Sequence, residues 1–385
     1  MNVPELDLTD LDVIRDPFTA YGRARESSPL ARLLIPGLDP MWAITRHADG
    51  RAMLSDPRFE LRAESFAYRP DVPEKYLPYL RTMQEMDGPE HLRLRRLAAP
   101  AFTARRAARF RPRIERIVES LLDGPTGETD LICRFTQPLP MAAICELVGI
   151  PESDRPRWRE YGAAIVAGSV EGLAKAMPGV IEDAKAAAER ADRGDDLISD
   201  LLAAKAEDGD RLTGTELVTL IWNIVLAGQT PANLIANGVA ALLSQPDQLA
   251  ALREDPGLMP RAVEELMRWC GPQLLSIPRY AREDVEIGGV LIGKGDSVTV
   301  SIASVNRDPR VFDDPERFDV RRDPGGHLGF AHGPHFCLGA GLARVQTEVA
   351  LSALLHRFPG LALAAAPERA LDPGTWRLSS LLVKL

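Results

Sequence analysis

The chain has 385 residues, 45% apolar and 26% charged, the ordinary balance of a soluble globular protein long enough to bury its own core. Its 46 basic and 55 acidic residues leave a net charge of −9, which excludes a generic binder of nucleic acid. Four cysteines, at 133, 145, 270 and 337, show no CxxC spacing, which excludes a disulfide framework and fits a reducing compartment.

The N-terminal stretch MNVPELDLTDLDVIRD is acidic and has no basic segment before an apolar one. A cytoplasmic chain without a signal peptide is therefore expected. A first short strand is expected over 41–45. Residues 104–122 carry Ala107, Phe110, Ile114, Ile117, Val118 and Leu121 at helical spacing. Further helices are expected over 130–148, 156–166 and 195–206. The longest, 215–243, is preceded by Thr213 and Glu216 in capping-box spacing. Its apolar stretch, 217–228, is interrupted by Thr219 and Asn223. It falls short of the roughly 20 residues that span a bilayer, so no membrane anchoring is expected. A helix over 260–269 follows, then a hairpin over 285–292 turning at Gly288-Gly289, and a strand over 296–302. The chain closes with a helix over 340–356 and a short strand or hairpin within 376–385. No repeat and no long linker divides it. The expectation is one domain, 1–385, mainly α with a small segregated β region.

The segment Phe330-Ala-His-Gly-Pro-His-Phe-Cys337-Leu-Gly-Ala-Gly-Leu-Ala-Arg344 carries the most chemistry. Gly333 and Pro334 place Cys337 on a constrained loop, just before a helix. A thiolate there is stabilised by the helix dipole and by free backbone N–H groups. That suits a metal ligand or a nucleophile. Cys133, Cys145 and Cys270 lack such surroundings and are expected in the core. A dinucleotide-binding reading of Gly339-Ala-Gly341 fails, because Arg344 stands at the third glycine and no strand precedes it. A Cys hydrolase would need His and Asn partners that the sequence does not locate.

This segment resembles the haem-binding loop of the cytochrome P-450 family, Phe-Gly-x-Gly-x-His-x-Cys-x-Gly. Phe330, Gly333, His335, Cys337 and Gly339 match; Ala331 stands where glycine is usual. The resemblance implies the cytochrome P-450 fold and haem b, with Cys337 as the axial iron ligand. It implies that His91 and Arg95 (in His91-Leu-Arg-Leu-Arg95), Arg279 and His335 bind the haem propionates. His91 and Arg95 are four apart, so one helix face presents both. Glu265-Leu-Met-Arg268 resembles the Glu-x-x-Arg pair, and Pro315-Glu-Arg317-Phe-Asp the segment whose Arg completes its network. All three charges are read as structural.

The helix at 215–243 corresponds to the one over the haem. The family usually carries there an acid followed by Thr. This chain reads Ala227-Gly228-Gln229-Thr230-Pro231, with Thr230 at the acid position and Pro231 at the Thr position. Proline has no N–H, so the Ala227 carbonyl is expected to lose its helical partner and to be free for a water. Ala227, Gly228 and Thr230 are the candidate catalytic positions. Three routes stay open for protons: Thr230 or ordered water, a substrate hydroxyl, or a less conventional oxidation.

No flavin or nicotinamide domain is recognisable, so the resemblance implies a ferredoxin and a ferredoxin reductase as donors, O2 as co-substrate and a monomer. Nine Arg between 93 and 116 offer either a dock for an acidic donor or a solvated face. The pocket is expected to draw on Met83, Met86, Leu226, Ala227, Leu274, Leu275, Ile277, Ser379, Ser380 and Leu381. The segment 156–188 resembles the mobile pair of helices that admits substrate. The implied activity is monooxygenation of a small hydrophobic molecule, hydroxylation or epoxidation in secondary metabolism. The alternative is coupling, desaturation or peroxide-driven oxidation without oxygen insertion.

Overall fold

A computed structural model describes residues 3–65, 71–124, 126–166, 170–190, 196–204 and 209–385. Parts of the expected pocket loop (66–70), of the helix pair (167–169) and of the helix at 195–206 lie outside the described residues. The rest is mainly helical, and its strands form one six-stranded sheet and three smaller ones.

The helix Ala104–Leu122 forms where its spacing predicts. It buries Ala107, Phe110, Ile114, Val118 and Leu122, and Thr103 caps its start. Each large apolar side chain so buried contributes about 1.5–3 kcal/mol. This face lies along the helix Ala340–Arg357. The capping box at Thr213 and Glu216 is present. From it the helix Gly214–Ala227 runs into the centre of the large helical core.

That helix does not continue to 243. It ends at Ala227, and a second helix, Pro231–Ser244, begins after a three-residue turn. Pro231 takes the first position of the new helix, where its missing N–H costs nothing. By length and composition the pair, Gly214–Ser244, is long and apolar enough to cross a membrane, and half of its apolar window is buried in the fold. The expectation of a stretch too short to span is corrected to that extent. The second half packs against the helices Met259–Cys270 and Ala340–Arg357, and a core helix passes the same test of composition.

The segment at 130–148 is also subdivided. Its first residue, Asp130, ends the strand Glu128–Asp130, and a π-turn Ile132–Thr136 leads into the helix Pro138–Val148. Cys133 lies on the π-turn and is exposed, against expectation; Cys145 and Cys270 are buried.

The largest sheet has six strands in the order Glu5–Asp7, Leu30–Leu34, Met41–Ile44, Ser297–Val300, Arg279–Ala281, Phe59–Glu60. The hairpin Val285–Ile287 with Val290–Ile292 forms as expected. The C-terminal strand Leu382–Lys384 pairs with Glu128–Asp130, which closes the chain end onto the helical body.

Candidate haem-thiolate site

Cys337 sits between a short 3-10 turn, Gly333–His335, and the helix Ala340–Arg357. Its own N–H donates to the Phe330 carbonyl at 2.8 Å, and the Ala340 N–H donates to the Cys337 carbonyl at 3.3 Å. The loop bends through two left-handed residues, Ala331 (φ 60°) and Gly333 (φ 71°). Gly333 is required twice over. A Cβ there would lie 2.5 Å from Ser55 Oγ and 2.9 Å from the Leu54 carbonyl. Ala331 keeps the turn that glycine would take freely, at the steric cost an L-residue bears there.

Cys337 is exposed, yet protein crowds it on its remaining sides, and that crowding pushes its thiol above the usual range. The Gly339 backbone N–H and the Arg95 and Arg344 charges pull the other way. A thiol enclosed but reachable from one side suits coordination from that side, because a metal favours the thiolate outright.

The four expected anion ligands converge beside this loop. His91 (1% exposed) stacks on His335, with ring centroids 4.0 Å apart. Arg95, one turn further along the helix Gly88–Ala98, donates to the Phe336 carbonyl. Arg279 is buried at 4% exposure; that burial works against its charge, and Asp87 offsets it. Burial, then the neighbouring His335 and Arg95, lower His91 to a pKa of about 4.

Asp87 was not singled out from the sequence. It accepts from His335 Nε2 at 2.8 Å and from the Leu61 N–H. The signal available was an acidic residue just ahead of Gly88-Pro89 at a helix start. Two guanidiniums and two imidazoles around one carboxylate leave positive charge in a half-buried place. A group with two carboxylates matches that donor set. Together with the thiol it fits haem.

Arg268 is fully buried and donates to both oxygens of Glu265, at 2.7 and 2.8 Å. The third member of this network is not Arg317, as expected, but Arg322, whose Nε donates to Glu265 Oε1 at 3.1 Å. The Arg317 side chain is 61% exposed and faces Asp319 at 3.6 Å. Only its carbonyl takes part, accepting from Arg268 and Arg322. The path of the chain through 313–322 turns Arg322 inward.

In the turn of the central helix, Ala227 and Thr230 are exposed, while Leu226, Gly228, Gln229 and Pro231 are half-buried. The Ala227 carbonyl is not left free, which corrects the expectation. It accepts from the Thr230 N–H at 3.2 Å and from the Thr230 hydroxyl at 3.0 Å. Gly228 lies against Ile144, and a Cβ there would come within 2.8 Å of it.

Among the expected pocket residues, Met86, Leu274 and Leu381 are core. Met83, Leu226, Leu275 and Ser380 are half-buried, while Ile277 and Ser379 are exposed. Of the nine arginines, Arg93 pairs with Asp210 and Glu216, Arg106 with Asp200 and Arg111 with Glu348. Arg105 and Arg116 are exposed. A cleft of about 280 Å³ borders the Cys loop, lined by Arg51, His332, Phe336 and Arg344 among others. It does not include Cys337 or the central turn.

The profile of the family described as Cytochrome P450 matches residues 257–368. The chain is 42% identical to Cytochrome P450 107B1 of Saccharopolyspora erythraea, over 99% of this chain and 96% of that protein. It is also 42% identical to the cytochrome P450 monooxygenase PikC of Streptomyces venezuelae, over 94% and 89%. The solved structure of CYP109Q5 from Chondromyces apiculatus superposes with a TM-score of 0.92 at 32% identity, over 100% of this chain and 98% of that one. With the helical fold, the cysteine loop and the arginines and histidines beside it, these matches make the chain a member of the cytochrome P450 family, a P450 monooxygenase whose cofactor is haem b.

Proposed function

We propose that this monooxygenase hydroxylates or epoxidises a small hydrophobic molecule during the tailoring of a secondary metabolite. Relatives of 38–39% identity are named 6-deoxyerythronolide B hydroxylase, mycinamicin IV hydroxylase/epoxidase and pentalenic acid synthase. The observation that carries the reading is the reachable Cys337 thiol beside four convergent anion ligands.

Haem b, when bound, supplies the iron at which O2 is activated, and a Cys ligand favours O–O cleavage. Cys337 would hold the iron. His91, Arg95, Arg279 and His335 would hold its two carboxylates and so orient it. Thr230, with Ala227 and Gly228, would form the oxygen-side wall. The Thr230 hydroxyl donates a hydrogen bond to the Ala227 carbonyl, so its lone pairs are left to accept from water or substrate. Rotation of that hydroxyl lets Thr230 pass a proton on, in place of the usual acid and alcohol.

Electrons come from a ferredoxin and its reductase, steered by the exposed part of the arginine cluster. The chain works as a monomeric single domain, 1–385, in the cytoplasm. A second reading is favoured by Pro231 standing where an alcohol is usual: coupling, desaturation or peroxide-driven oxidation. Turnover under isotopically labelled O2 separates them. Label in the product supports the proposal; an oxidised product without label supports the second reading.

A further inference from the structure

The turn that holds Thr230 also holds Gln229, whose side chain runs onto the helix Arg155–Val166. It meets that helix at Gly162. A methyl group on residue 162 would lie 2.5 Å from Gln229 Oε1, 2.7 Å from Nε2 and 2.9 Å from Cδ. Those separations are well inside van der Waals contact, so the helix comes this close only because residue 162 has no Cβ.

The preceding residue is also seated on a glycine, of another helix. Tyr161 lies over Gly179 of the helix Val170–Arg190, where a Cβ would be 2.6 Å from its hydroxyl. The Tyr161 hydroxyl also bonds Asp183 Oδ2 at 3.1 Å. The helix Arg155–Val166 thus touches both Gly179 and the Gln229 amide. Thr230, one residue further on, is exposed, as is Ala227 two residues before. Whatever lies over that exposed surface shares its edge with the Gln229–Gly162 contact.

We propose that Gln229 is a positioning and specificity-determining residue. Its amide, seated on Gly162, sets how closely the helix Arg155–Val166 approaches the turn at Ala227–Thr230, and so limits the bulk of what binds there. This rests on the reading of Ala227 and Thr230 as the oxygen-side wall.

The test uses the holoprotein and two probes that ligate haem iron, imidazole and the bulkier 4-phenylimidazole, followed by the Soret band. Imidazole should bind Gly162→Ala, Gln229→Ala, the double variant and the parent within about twofold of one another. In Gly162→Ala the new methyl group and the amide compete for one volume, so 4-phenylimidazole should dissociate at least about fivefold faster. Adding Gln229→Ala should restore the parent rate to within about twofold, since the shortened side chain makes room. An unchanged rate in Gly162→Ala, or a double variant as fast as Gly162→Ala, overturns the proposal while leaving the haem site standing. A parent protein whose Soret band ignores imidazole overturns the haem-site reading, and this proposal with it.

Discussion

Arg322 and Arg317 compete for one structural role, and alanine substitution separates them. Arg322 is 14% exposed at its side chain. It donates to Glu265 at 3.1 Å, to the Asp313 carbonyl at 2.5 Å, to the Asp314 carbonyl at 3.0 Å and to the Arg317 carbonyl at 3.1 Å. A hydrogen bond to a charged group is worth roughly 1.5–3 kcal/mol net. Bonds sharing one side chain do not add, and Glu265 keeps Arg268 and the Asp319 N–H. Arg322→Ala should therefore cost about 2–4 kcal/mol. Arg317 has an exposed side chain 3.6 Å from Asp319, and such a surface pair contributes about 0–1 kcal/mol. Arg317→Ala should shift stability by under about 0.5 kcal/mol. Guanidinium unfolding of the holoprotein, followed by Soret absorbance and tryptophan fluorescence, measures both. A loss on Arg317→Ala equal to that on Arg322→Ala would refute the assignment of the third charge.

Ala331→Gly should stabilise the protein. A left-handed L-residue costs about 1–2 kcal/mol, and glycine's extra chain entropy takes back about 0.5–1 kcal/mol. The net gain, roughly 0.5–1 kcal/mol, should show in the same titration with the Soret band unmoved; a loss would mean that the methyl group packs usefully. Thr230→Ala should raise the hydrogen peroxide released per substrate consumed, by about tenfold if Thr230 delivers the proton. Unchanged leakage would remove that role. Arg105→Glu should slow reduction by a ferredoxin more at low salt than at high salt, because exposed charges are screened beyond roughly 10 Å at 0.1 M. Equal slowing at both salts would speak against a charged dock.

The helix Ala104–Leu122 was legible because its apolar positions recur every three or four residues and Thr103 stands ready to cap it. The hairpin at Gly288-Gly289 and the capping box at Thr213 were legible for the same local reasons. The cysteine loop was legible as spacing, and its left-handed turn at Ala331 explains why glycine is the easier residue there. Pro231 announced an interruption. Whether the helix would bend or stop was decided by Thr230, which captures the Ala227 carbonyl with both its N–H and its hydroxyl. Asp130 read as the start of a helix because its strand partner, Leu382, lies some 250 positions away. Asp130 is further occupied by the backbone of Ile132 and Leu381. Arg317 and Arg322 have equal chemistry and neighbouring places, so only the tertiary course of the chain chooses between them. Asp87 was hidden likewise, since its partners at 61 and 335 come from two other segments.

The most direct test is the CO complex of the reduced protein, compared between the parent and Cys337→Ser. The parent should give the strongly red-shifted Soret band of a thiolate-bound haem. The variant should bind haem through Arg95, Arg279 and the two histidines yet lose that band. A thiolate-type band that survives in Cys337→Ser would show that another residue holds the iron.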